Sequence, residues 1–79
     1  MTNKEIFLRT YTEELTMEVI RKPREFAYPA TDAARIAEKM VTALGERRAN
    51  LGSNAIRRTC RILKVQYSLS GISNFLNEV

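Results

Sequence analysis

The segment Thr31–Leu44 has the pattern that most restricts how this 79-residue chain can fold. Its apolar residues recur at intervals of three and four, the period of an α-helix with one buried face. These residues are Ala33, Ile36, Ala37, Met40, Val41 and Leu44. We therefore predict a central helix over residues 31–46, which either stops at Gly45 or continues for one more turn through Arg48.

A second helical pattern covers residues 1–22. Its apolar stripe follows the same period, with further apolar residues widening it. The stripe consists of Leu8, Tyr11, Leu15 and Val19, widened by Ile6, Phe7, Met17 and Ile20. Pro23 ends this amphipathic helix, because proline lacks the backbone N–H that a helix interior requires. Glu13, Glu14 and Glu18 are expected on its solvated, charged face.

The last third of the chain, residues 54–79, predicts two short helices joined by a turn. The first, Asn54–Lys64, carries basic residues on both sides of a narrow apolar seam. The second, Leu69–Glu78, is apolar on one side and has small polar residues between its apolar ones. The seam consists of Ile56, Cys60 and Leu63, and the apolar residues of the second helix are Leu69, Ile72, Phe75, Leu76 and Val79.

Short polar residues and aromatics mark the connections between these helices. Phe26 and Tyr28, which lie between Pro23 and Pro29, are expected to fill the gap between the first two helices. The candidate helix caps are Thr2, Asn3, Thr31, Asp32, Ser53, Asn54 and Ser68. The pattern as a whole predicts an all-α, single-domain bundle of about four helices over residues 1–79. The last two helices are predicted to form a basic, helix-turn-helix-like hairpin.

The net charge of +4 comes entirely from residues 46–79, because acidic and basic residues balance over residues 1–45. An excess of this kind favours an anionic partner, such as a phosphate backbone or an acidic protein surface. The residues predicted to bind it are Arg47, Arg48, Arg57, Arg58, Arg61 and Lys64.

Residue types argue against catalysis. The chain has no histidine and one cysteine, Cys60, so the usual general base, a Cys–His pair and a zinc site are all excluded. Gly45, Gly52 and Gly71 are isolated, which excludes a phosphate-cradling loop. We therefore predict a protein that is not an enzyme and needs no cofactor or metal. Cys60 is expected to be a small buried apolar side chain.

The cysteine content and the short apolar runs also indicate where in the cell the protein is found. A single cysteine cannot form an internal disulfide and fits a reducing compartment. The apolar runs are much shorter than a membrane span, and the first residues lead into a charged helix without the apolar region of a signal peptide. We expect a cytoplasmic protein that does not enter membranes.

The terminal hairpin has features of a helix-turn-helix. Residues 59–65 resemble the small-x-x-x-Leu-Gly-Val segment that ends the bracing helix in DNA-binding versions. Lys64 stands at the usual glycine, the connection is longer than the standard turn, and the second helix has no arginine or lysine. The residues that could contact DNA, as base-reading or phosphate-contacting groups, are Gln66, Tyr67, Ser70, Ser73 and Asn74. A plain helical hairpin with a solvated basic face explains the same pattern.

The order of elements also resembles small, uncharacterised accessory proteins of phages and prophages. The similarity lies in the acidic first helix, the Pro/Tyr link, the Ala-rich helix and the closing segments Asn54–Cys60 and Ile72–Leu76. It covers most of the chain but includes no functional motif, so it implies no site residues. The resemblance implies transcriptional switches, modulators of host enzymes, or inhibitors of host defence such as anti-CRISPR proteins.

Two functions follow as expectations. The first is a small phage-type regulatory or inhibitory protein that binds a host protein or nucleoprotein complex in the host cytoplasm. The alternative is a helix-turn-helix-like transcriptional regulator that binds double-stranded DNA. Formation of a homodimer is compatible with both, since a small core is often completed by self-association.

Overall fold

The computed structural model describes residues 1–78, and within that part the chain contains four α-helices and no strand. The helices are α1 (Asn3–Arg21), α2 (Ala33–Gly45), α3 (Asn54–Leu63) and α4 (Leu69–Asn77). Two short 3-10 turns, Pro23–Glu25 and Ala30–Asp32, connect α1 to α2. The predicted all-α fold is confirmed, whereas Val79, predicted as the last apolar residue of the fourth helix, lies outside the described residues. None of these four helices has the length and apolar composition that crossing a bilayer requires.

Helix α1 is the central element, since α2, α3 and α4 all pack against it. It begins with a capping box, in which the Thr2 hydroxyl accepts a hydrogen bond from the Glu5 N–H at 3.1 Å and the Glu5 carboxylate accepts one from the Thr2 backbone. Its buried residues are Phe7, Tyr11, Leu15 and Val19. Met17 and Ile20, which were predicted to widen the stripe, are 45% and 64% exposed. They point away from the side of α1 that the other helices cover.

The core lies between α1 and the inner faces of the other three helices. Buried residues of α2, α3 and α4, which range in size from alanine to leucine and isoleucine, fill it. They are Ala33, Ala37, Val41, Leu44, Ala55, Ile56, Cys60, Ile72 and Leu76. The Phe7 ring packs between those of Tyr11 and Phe75, with ring centroids 6.3 Å apart in both pairs. Burial raises the pKa of Tyr11 to about 12 and also raises the pKa of the Cys60 thiol, so both groups stay protonated at neutral pH.

Two of the predicted N-caps, at the starts of α3 and α4, form side-chain hydrogen bonds. Ser53 accepts a hydrogen bond from the Ala55 N–H at 3.1 Å, and Ser68 accepts one from the Gly71 N–H at 3.0 Å. Asp32 occupies the N-cap position of α2, as predicted, but its side chain forms no capping hydrogen bond. The chain enters α2 through a 3-10 turn, and the Asp32 carboxylate instead lies 3.6 Å from the Arg35 guanidinium.

The connector between α1 and α2 packs as predicted. Phe26 and Tyr28 are half-buried and lie against the core, with an edge-to-face contact between their rings at 5.6 Å. Edge-to-face packing is a favoured geometry of aromatic pairs. The two rings therefore close this end of the bundle.

Helices α2 and α3 are each followed, within two residues, by a basic residue in the left-handed backbone conformation. Arg47 has φ 56° and Lys64 has φ 57°, at the position where glycine is most common. Each end is closed by a backbone hydrogen bond, from Arg48 N–H to the Ala43 carbonyl (2.7 Å) and from Val65 N–H to the Cys60 carbonyl (2.9 Å). Gly45 remains the last residue of α2 instead of supplying the left-handed turn that follows it.

We expect Lys64→Gly to raise the free energy of unfolding by about 0.5 to 1 kcal/mol, because glycine adopts this conformation without the steric clash of a Cβ. Urea unfolding measures the change. Lys64→Ala is the control, since it removes the charge but keeps the clash. An equal gain in both variants would show that charge, and not backbone strain, sets the stability at this position.

Candidate functional site

All three nitrogens of the Arg58 guanidinium donate hydrogen bonds to α1. Its Nε donates to the Glu14 carboxylate at 2.7 Å, its Nη1 to the Glu18 carboxylate at 3.3 Å, and its Nη2 to the Glu14 carbonyl at 3.4 Å. The hydrogen bond to Glu14 raises the pKa of Arg58 further. The side chains of Glu14 and Glu18 are only 19% and 12% exposed, so their predicted place on a solvated face is wrong. Arg58 joins α3 to α1.

Arg47 and Arg48 adopt two different arrangements after α2. Arg47 reaches across to α4, where its Nε donates to the Ser73 hydroxyl at 2.8 Å and its Nη2 to the Asn74 side-chain carbonyl at 3.0 Å. Arg48 forms an exposed ion pair with Glu46 at 2.6 Å. Arg48 is therefore largely neutralised, whereas Arg47 is held by uncharged partners and keeps its charge.

The remaining predicted basic residues form the α3 basic face, which consists of Arg57, Arg61 and Lys64. All three are exposed, and Arg57 and Arg61 lie one helical turn apart on the same side of α3. Among residues 1–78, no carboxylate lies within 4.0 Å of their charged groups. This face therefore presents uncompensated positive charge to a partner.

Arg57 is held in place by its neighbours. Its guanidinium lies 4.7 Å from the centroid of the Tyr67 ring, in a cation–π contact. The Tyr67 hydroxyl in turn donates to the Leu51 carbonyl at 3.1 Å, which fixes the ring. A cation that is already oriented loses less entropy when it binds.

An exposed apolar side chain accompanies these cations. Ile62 is 56% exposed and follows Arg61 on α3, one turn after Arg58. Arginine and tyrosine are enriched at protein–protein interfaces, and an exposed isoleucine on the same helix adds apolar surface that a partner protein can bury. Ile62 was not predicted as a site residue. Its position outside the seam formed by Ile56, Cys60 and Leu63 could have indicated that its side chain is exposed.

The residues predicted to read DNA have different surroundings. Ser70, Asn74 and Gln66 are exposed, but Ser73 is buried and its hydroxyl is shared between Arg47 and the Ser70 carbonyl. The exposed side of α4 has no cation of its own. In addition, α3 packs mainly on α1, α4 packs on both α1 and α2, and α3 and α4 make few direct contacts with each other. The structure brings Tyr67 to the α3 basic face and leaves Ser70 and Asn74 beside Arg47.

Metal-ligating side chains do not cluster in the part of the chain that the structure describes. In this part of the chain, no three histidine, cysteine, aspartate or glutamate residues come together as metal ligands. Comparisons with known proteins found no matching family model, no matching curated protein and no matching solved structure.

Proposed function

We propose that this is a non-enzymatic, small regulatory or inhibitory protein of the phage type that acts by binding another protein. The phage-type part of the proposal follows the resemblance in the order of elements. Its target class is a host enzyme or a defence complex such as a CRISPR effector, in the host cytoplasm. The proposed contact surface is the α3 basic face together with Ile62 and Tyr67.

The observation that carries this proposal is that α3 exposes Ile62 and, on another part of its surface, an arginine oriented by a tyrosine, Arg57. Cations alone would suit any anionic partner, but an isoleucine gains little against a phosphate backbone. Against a protein it can enter an apolar pocket, and burial of an aliphatic side chain contributes about 1.5 to 3 kcal/mol. The combination supports a partner protein with an apolar pocket bordered by carboxylates.

Binding of double-stranded DNA is the second candidate, and one observation favours it. Arg57 and Arg61, followed by Lys64 at the end of α3, are exposed without carboxylate partners among residues 1–78, as phosphate-binding residues need to be. Against it, the exposed side of α4 lacks a cation that could read guanine. The few contacts between α3 and α4 also differ from a helix-turn-helix, in which the two helices brace each other.

The decisive experiment is affinity capture from host lysate, with and without nuclease, using the wild-type chain and a variant carrying R57E and R61E. Both arginines are exposed, so we expect the variant to keep its helical circular dichroism. We expect a nuclease-resistant protein partner, and for the purified pair about 30-fold weaker binding by the variant, because like charges then face each other.

A variant carrying R9E and R24E is the matched control, since it makes the same change in net charge at exposed positions away from α3. It should bind the partner like the wild type, apart from a small change in association rate. If both variants lose binding equally, net charge is responsible and the proposed surface is wrong. Recovery of nucleic acid alone, with affinity for duplex DNA falling steeply between 50 and 200 mM salt, would favour the DNA-binding candidate instead.

A further inference from the structure

Arg47 occupies a backbone position that arginine fills at an energetic cost. Its φ of 56° lies in the left-handed region, where the Cβ of a non-glycine residue comes too close to the following carbonyl oxygen. Glycine in this position would end α2 with the same hydrogen bonds and without that cost. Unlike Lys64, which shares this conformation, Arg47 also forms side-chain hydrogen bonds to another helix that glycine could not form.

The side chain of Arg47 is fixed along one edge of its guanidinium. The Nε–H and one Nη2–H donate in parallel to the Ser73 hydroxyl at 2.8 Å and the Asn74 carbonyl oxygen at 3.0 Å. Ser73 is itself buried and donates to the Ser70 carbonyl at 3.2 Å. Because both acceptors are uncharged, the guanidinium is oriented but its positive charge is not neutralised.

The other edge of the guanidinium faces away from these acceptors. It consists of the two Nη1–H groups and the second Nη2–H, which have no hydrogen-bond acceptor among residues 1–78. Asn74 adds a donor group, since its oxygen accepts from Arg47 and its NH₂ group donates to no acceptor among residues 1–78. Arg47 and Asn74 together therefore present donors only, around one positive charge.

We propose that Arg47 and Asn74 form a binding site for a carboxylate group of a partner protein. Two parallel N–H groups on the free edge of a guanidinium match the two oxygens of a carboxylate. The next cation in the chain, Arg48, is already paired with Glu46 at 2.6 Å. The site therefore offers one net positive charge, which balances a carboxylate but not a doubly charged phosphate.

This site is separate from the α3 basic face. Arg47 follows α2 and lies against α4, whereas Arg57 and Arg61 lie on the exposed side of α3. The proposal uses only Arg47, Asn74 and Ser73, so it holds whether or not the α3 basic face binds a protein. The two surfaces can accordingly be tested one at a time.

The test is a titration of the ¹⁵N-labelled full chain with sodium acetate, at constant ionic strength maintained with sodium chloride. We expect the chemical shifts of the Arg47 Nε–Hε and Asn74 side-chain amide signals to change until they saturate. These changes should be about fivefold larger than the change of the Arg24 Nε–Hε signal. Arg24 is the control because it is exposed and belongs to the connector. Linear shifts of similar size at all arginines would overturn the proposal.

Two variants and a second anion complete the experiment. N74D places a carboxylate against Arg47, so we expect it to abolish saturation by acetate without lowering the thermal unfolding midpoint. R47K keeps the charge but lacks the parallel N–H groups, and it should lose saturation as well. Inorganic phosphate should give the weaker, unsaturated response, and saturation by phosphate but not by acetate would overturn the choice of carboxylate. Undiminished saturation by acetate in N74D would exclude Arg47 as the binding group.

Discussion

Arg58→Met is expected to lower the free energy of unfolding by about 2 to 3 kcal/mol, because it leaves two mostly buried carboxylates without their shared donor. Glu14 and Glu18 receive three hydrogen bonds from Arg58 through their carboxylates and the Glu14 carbonyl, at 2.7, 3.3 and 3.4 Å. Full burial of such a group would place the loss near 3 to 5 kcal/mol. Arg58 itself is one third exposed, with a side-chain exposure of 33%, which reduces the expected loss.

Urea unfolding of Arg58→Met and Arg61→Met separates this effect from a general loss of charge. Arg61 lies on the same helix, is exposed and has no carboxylate partner within residues 1–78, so its replacement should change stability by about 0.5 kcal/mol or less. Adding E14Q and E18Q to Arg58→Met should recover part of the lost free energy of unfolding, since the two unpaired carboxylate charges are then removed. Equal losses in the two single variants would contradict the assignment of Arg58 to the α1–α3 contact.

Gly71→Val is expected to destabilise the protein by about 3 kcal/mol, because the turn before α4 folds back onto this residue. A Cβ at Gly71 would lie 2.7 Å from the backbone carbonyl oxygen of Gln66 and 2.9 Å from the Ser68 hydroxyl. The carbonyl cannot move freely, since it also accepts a hydrogen bond from the Ser68 N–H at 2.9 Å. Relief of the clash would disturb the Ser68 cap and the start of α4.

Gly52→Val is the matched control for this substitution. A Cβ at Gly52 meets no atom within 4 Å, so we expect the same change of residue to alter the free energy of unfolding by about 0.5 kcal/mol or less. The comparison is made by chemical unfolding of both variants beside the wild type. If Gly71→Val were as stable as Gly52→Val, the close approach of the turn to α4 would be wrong.

The helices were predictable from local signals. Apolar residues at helical spacing located all four, and Pro23, Ser53 and Ser68 marked boundaries that agree with the structure to within one or two residues. What periodicity alone did not reveal was which flank of α1 the other helices would cover. Met17 and Ile20 were therefore predicted as part of the stripe, although they are exposed. Their environment depends on tertiary packing and not on the local repeat.

The candidate site was predictable only as a region of positive charge. Arg57 and Arg58 are adjacent in sequence, but about 100° of helical rotation separates them, so one faces solvent and the other faces α1. A pair of glutamates one turn apart, Glu14 and Glu18, was the only hint of an internal partner, and such pairs are usually solvated. The left-handed conformation of Arg47 and the contact of Arg57 with Tyr67 depend on how the connecting segments close. No local pattern predicts either.

The position of α1 also decides when the protein can fold during synthesis. The Asn3 side chain donates to the Phe75 carbonyl at 3.0 Å, and the Phe7 ring packs on the Phe75 ring, so the first helix is completed by the last. Helix α1 leaves the ribosome before the other three helices, and its Phe7 end lacks its partner Phe75 until α4 has also emerged. Closure of the core is therefore a late event, limited by contacts between residues far apart in the chain. Until then, the apolar side chain of Phe7 is available to chaperones.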